Sequence, residues 1–129
     1  DEVLKVRPKD SMLVMSRAVA LRGLERFDEA SKGYEKALAL DPKDPSPLYN
    51  LCVLHQQYTM QYEPALKACE AYEVRIGRRH EKSKEMKRRI ESLRLTIEAL
   101  AAEAEQDAEM GADEFGEEMP EDVGDEGAP

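Results

Sequence analysis

The sequence predicts an all-α chain built from helical hairpins. Three observations carry that prediction. Apolar and small residues recur at intervals of three and four along most of the chain, as they do in helices that bury one face. Prolines and a glycine stand where those runs must stop. The stretch from Phe27 to Pro42, FDEASKGYEKALALDP, is echoed 35 residues later by YEPALKACEAYEVRIG, Tyr62 to Gly77. Self-similarity at that period, with two helices per unit, marks a helical solenoid.

Each element can be justified in turn. Residues 1–10, DEVLKVRPKD, alternate weakly at Val3, Leu4 and Val6 before Pro8, and are expected to be a lead-in. Ser11 is expected to cap a first helix ending near Leu24 to Arg26, whose Met15, Ala18, Leu21 and Leu24 fall at spacings of three. After a turn at Glu25 to Phe27, Asp28 opens a second helix through Leu40, with Ala30, Tyr34, Ala37 and Leu38 on its inner side. Asp41-Pro42 ends it, because a residue before proline is pushed out of the α region. The turn KDPSP leads into a third helix, Ser46 to Tyr58. A fourth carries Pro64 in its first turn, where a missing N–H costs nothing, and stops at Gly77.

Within the echo, Ala30, Tyr34 and Ala37 recur as Ala65, Cys69 and Tyr72. The alanines let antiparallel helices approach closely, and Leu21, Phe27 and Tyr34 fill the gaps around them. Such hairpins need a neighbour to cover their open face. Residues 80–106 are expected to supply it as a long capping helix. Met86, Ile90, Leu93, Ile97, Leu100 and Ala104 follow a 4-3-4-3-4 spacing along it. A coiled-coil seam to a partner helix is the alternative use of that stripe. Residues 107–129 are rich in Glu, Asp, Gly and Pro and are expected to form a disordered acidic tail. Phe115 and Met119 stand among its acids as candidates for a short recognition motif.

The run from Ser11 to Asp44 resembles a tetratricopeptide repeat (TPR). It matches at Ala18, Leu21, Phe27, Ala30, Tyr34, Ala37 and the closing Asp41-Pro42. A second unit, 45–79, matches at Tyr49-Asn50-Leu51, Tyr62, Ala65 and Cys69. It carries one inserted residue near Thr59-Met60, and Tyr72 and Gly77 replace an alanine and a proline. The resemblance implies two TPR repeats, 11–44 and 45–79, and a groove lined by the first helix of each pair. Its positions fall on Met12, Met15, Val19, Arg22 and Gly23, and on Tyr49, Asn50, Val53, Gln56 and Gln57. Chaperone-binding members of the family clamp a terminal carboxylate with Lys and Asn. Met15 and Val19 stand there instead, which argues against that subclass. An apolar, Met-containing groove suits a hydrophobic peptide or partner helix. The phrase NLCVLHQQYTMQYEPALKACEAY also resembles TPR proteins of myxobacterial envelopes, some of them in gliding-motility machinery.

Charge narrows the function classes. The formal net charge is −9, yet from Glu103 onward there are 12 acids and no base, leaving the rest mildly basic. A basic stretch contains Arg75, Arg78, Arg79, Lys82, Lys84, Lys87, Arg88 and Arg89. It offers an alternative function, binding of nucleic acid or an anionic surface. No aromatic residues are interleaved for base stacking, so a solvated helix face with pairs such as Glu85 with Arg89 is favoured over a nucleic-acid partner. Neither His55 nor His80 stands at metal-ligand spacing, and no glycine-rich phosphate loop is present. The expectation is therefore a non-enzymatic protein-interaction scaffold with no cofactor and no metal. A second copy reached through the long helix remains a further candidate partner. Cys52 and Cys69 are expected to be buried reduced thiols. No apolar run approaches the ~20 residues of a membrane span. The chain starts without Met, so an export signal removed earlier would place it in a bacterial periplasm or envelope, and otherwise in the cytoplasm.

Overall fold

A computed structural model describes residues 8–117. Five helices follow one another: α1 (Pro8–Gly23), α2 (Phe27–Leu40), α3 (Ser46–Val53), α4 (Tyr62–Ile76) and α5 (Ser83–Glu117). No strand occurs among the described residues. The arrangement is TPR-like: α1 pairs with α2, α3 pairs with α4, and the start of α5 covers the second hairpin. Two compact units are distinguished, Asp1–Ile97 and Glu98–Pro129.

The helix ends differ from the sequence expectation in instructive ways. Helix α1 opens at Pro8, and Ser11 lies buried within it rather than capping it. Proline belongs in a first turn, where no helical N–H is needed, so it starts this helix instead of delaying it. Residues 1–7 of the expected lead-in lie outside the described residues. Helix α2 begins at Phe27, one residue before Asp28, and the Arg26 guanidinium grips both carboxylate oxygens of Glu29 at 2.8 and 2.7 Å. At the far end, α5 begins at Ser83 and continues through the expected boundary at 106 to Glu117. The run LAAEAEQDAEM buries no face but consists mostly of strong helix formers, and intrinsic propensity suffices where burial is absent. Phe115 therefore sits on a helix, whereas Met119 falls outside the described residues.

The first unit has one core. Ala18, Ala30 and Ala37 are fully buried with Tyr34 between them. The closest approach of α1 and α2 is at Gly33, where an added Cβ would meet that of Ala18 at 2.8 Å. Only glycine allows the two backbones to come so near. The Tyr34 hydroxyl has no hydrogen-bond partner, and burial pushes its pKa up against the opposing charge of Arg22. Met86, Ile90 and Leu93 of α5 are buried in the same core as Ala65, Ala68, Cys69 and Tyr72 of α4. In the second unit Leu100 and Ala104, which continue the stripe of α5, are exposed.

Two features of the second hairpin depart from the expectation. Cys52 and Cys69 are not reduced thiols: they form a disulfide across α3 and α4, with Cα atoms 5.0 Å apart. Both are wholly buried. The echo explains the geometry, since Cys52 takes the place of Ala18 and Cys69 that of Tyr34, two positions that face each other in a hairpin. The inserted residue lies earlier than Thr59-Met60. Helix α3 widens into a π-helical segment, Leu54–Tyr58, where the Thr59 amide donates to the Leu54 carbonyl at 3.0 Å. An extra residue in an α-helix would turn everything after it by about 100°. A π turn absorbs it locally, so the two hairpins close alike. Glu25 and Met60, both two residues before the next helix, hold φ of 63° and 57°.

Candidate partner-binding face

The groove positions lie on α1 and α3. Met12, Met15, Val19 and Arg22 are spaced 3, 4 and 3 apart and so share one side of α1. Met12 is 64% and Val19 39% exposed, whereas Met15 packs against the core. Arg22 lies over the Tyr58 ring, 5.7 Å from its centroid, and Tyr58 in turn meets Phe27. Gly23 is the last residue of the helix. On α3, Asn50 is committed locally, its side-chain amide donating to the Ser46 carbonyl at 3.0 Å. Val53 is half-buried and Gln57 is exposed.

Tyr49 and Gln56 have partners that spacing alone did not indicate. The Tyr49 hydroxyl donates to Glu85 on α5 at 2.7 Å. Its ring packs on Tyr72, with Lys82 Nζ 4.6 Å and the Arg89 guanidinium 6.0 Å from its centroid. Arg89 bridges Glu85 at 2.8 Å and also donates to Gln56 at 2.8 Å. Burial raises the pKa of Glu85, but the hydrogen bonds from Tyr49 and Arg89, with the charges of Arg89 and Lys82, outweigh it and hold the carboxyl below its ordinary value. The groove and the basic stretch therefore meet at one cluster. Tyr49 is a fixed aromatic platform braced by α5, not a freely projecting anchor. Glu85 is the residue that sequence reasoning undervalued. Its i,i+4 relation to Arg89 was visible, but its bond to a tyrosine 36 positions earlier was not.

The remaining cations divide from these two. Arg75, Arg78, Arg79, Lys84, Lys87 and Arg88 are exposed, while Lys82 and Arg89 are half-buried against Tyr49. Arg94, further along α5, pairs with Glu70 of α4 at 2.6 Å and ties the cap to the hairpin. No helix of the described residues is long and apolar enough to cross a membrane.

Residues 20–57 match a family model for the TPR repeat. That stretch is similar to the TPR repeat. It runs from the last turn of α1 through α2 to the π-helical segment, so it takes in Arg22, Tyr49, Asn50, Val53, Gln56 and Gln57. No curated protein and no solved structure matches the chain. TPR repeats generally mediate protein–protein interactions and are generally not catalytic.

Proposed function

We propose that this chain is a non-enzymatic scaffold that holds a peptide or partner helix against the face made by α1 and α3. The observation that carries this reading is that α1 exposes Met12 and Val19 at its groove positions while α3 presents Tyr49 braced by Lys82 and Arg89. Apolar side chains of the partner would cover the methionine and valine. Each large one fully covered would contribute roughly 1.5–3 kcal/mol. A carboxylate of the partner would face Lys82 and Arg89, and aromatic and arginine residues of this kind commonly dominate interface energetics. The partner sits within a multiprotein assembly. A gliding-motility or envelope setting enters only through the resemblance of residues 50–72 and adds no residue to the site.

The exposed cations Arg78, Arg79, Lys84, Lys87 and Arg88 favour the second reading, contact with an anionic surface. One experiment separates the two. Met12→Glu with Val19→Glu changes exposed residues and should leave the fold intact while weakening partner capture at least about tenfold. Arg78→Glu with Arg88→Glu should leave capture unchanged. Loss of binding only in the second pair would overturn the groove. Arg89 is unsuited to that role because its reversal would also disturb Tyr49 and Gln56.

A further inference from the structure

The two units carry opposite charge. Residues 98–129 contain 13 acids and no base, which leaves residues 1–97 with 15 acids against 19 bases. On the first unit, a cleft of 230 Å³ lies between α1 and α2. Val14, Ala18, Leu21 and Gly33 supply its apolar lining. Arg17 stands on its α1 edge, and Lys32 and Lys36 on its α2 edge, all three exposed. The acid beside it, Glu29, is already held by Arg26 at 2.7 Å. The cleft is thus an apolar slot between cations, with small residues where the helices come closest.

The second unit offers a helix of complementary form. Along α5, Ala101, Ala104, Ala108 and Gly111 recur at 3, 4 and 3, a narrow small-residue stripe. At 100° per residue, Glu105 and Asp107 fall on opposite sides of that stripe. Every residue from 98 to 110 is exposed. A helix with a narrow apolar edge and an acid on each flank fits a slot with a cation on each rim.

We infer that the acidic part of α5 in one copy docks into the α1–α2 cleft of a second copy. The contact joins two different surfaces, so it is heterologous and can extend head to tail. Charge supplies orientation and encounter rate, and the attraction is screened as salt rises.

The test uses the full chain and sedimentation velocity at low and high salt, at concentrations up to about 1 mM, the weakest affinity at which such a contact would register. The wild type should associate, less so in high salt. Lys32→Glu/Lys36→Glu alone, and Glu105→Lys/Asp107→Lys alone, should each weaken association at least about tenfold. Mixing these two variants should restore a heterodimer, because one keeps the acidic helix and the other keeps the cleft. A wild type that stays monomeric under all conditions would overturn the inference, whether the cleft is empty or filled by another part of its own chain. So would association that both charge swaps leave unchanged, or a mixture that forms no heterodimer.

Discussion

Reducing the Cys52–Cys69 disulfide is expected to lower the melting temperature by an amount that the structure fixes in advance. The two cysteines are 17 positions apart. Closing a loop of that size removes enough freedom from the unfolded chain to stabilise the fold by about 3 kcal/mol. A domain of this size loses roughly 4–8 °C for each kcal/mol, so reduction should lower the melting temperature by roughly 12–24 °C. Both sulfurs are fully buried, so a reductant reaches them only when the hairpin opens. The protein should therefore be unfolded and refolded in reductant, then melted beside its oxidised form by circular dichroism. Thiol titration of the unreduced protein in denaturant should find no free thiol. Two titratable thiols in that experiment, or equal melting temperatures, would refute the disulfide and restore the buried thiols that the sequence alone suggests.

Other substitutions probe the rest of the architecture. Gly33→Val should cost about 1–3 kcal/mol in denaturant unfolding, because its Cβ would overlap that of Ala18, and Ala18→Gly should recover part of the loss. Glu25→Gly should raise stability by roughly 0.5–1 kcal/mol by relieving a side chain held at φ 63°, whereas glycine at exposed Lys36 within α2 should lower it by about 1 kcal/mol. Glu85 has a depressed pKa in the fold, so its contribution is present above the ordinary carboxylate range and lost as pH falls through the lowered value. Tyr49→Phe should accordingly be less stable than wild type near neutrality, and urea unfolding should show that gap narrowing as pH falls. A gap independent of pH would detach the tyrosine from Glu85.

The parts of the fold that repeat were legible in the sequence. Phe27, Ala30, Tyr34 and Ala37 placed α2, and their counterparts 35 residues on placed α4. Met86, Ile90 and Leu93 foretold a cap because an amphipathic stripe needs something to cover. The π-helical turn was legible only as one residue too many, since the echo counts positions but does not say which hydrogen bond shifts. The disulfide was within reach, because Cys52 and Cys69 stand at positions that face each other in the first hairpin. Lone spacing along the chain hid that relation. Of the cluster at Tyr49 only the Glu85–Arg89 pair was legible. Glu85, Arg89 and Lys82 look like ordinary surface charges until α5 is laid across α3.

The most direct measurement of the proposed role is a binding isotherm for the protein that the wild-type chain retains most strongly, titrated against wild type, Met12→Glu/Val19→Glu and Arg78→Glu/Arg88→Glu under identical salt. Binding through the α1–α3 face should weaken at least about tenfold, about 1.4 kcal/mol or more, in the first variant and stay within twofold in the second. Unchanged affinity in the first variant with loss in the second would contradict the groove and assign binding to the basic stretch of residues 75–89.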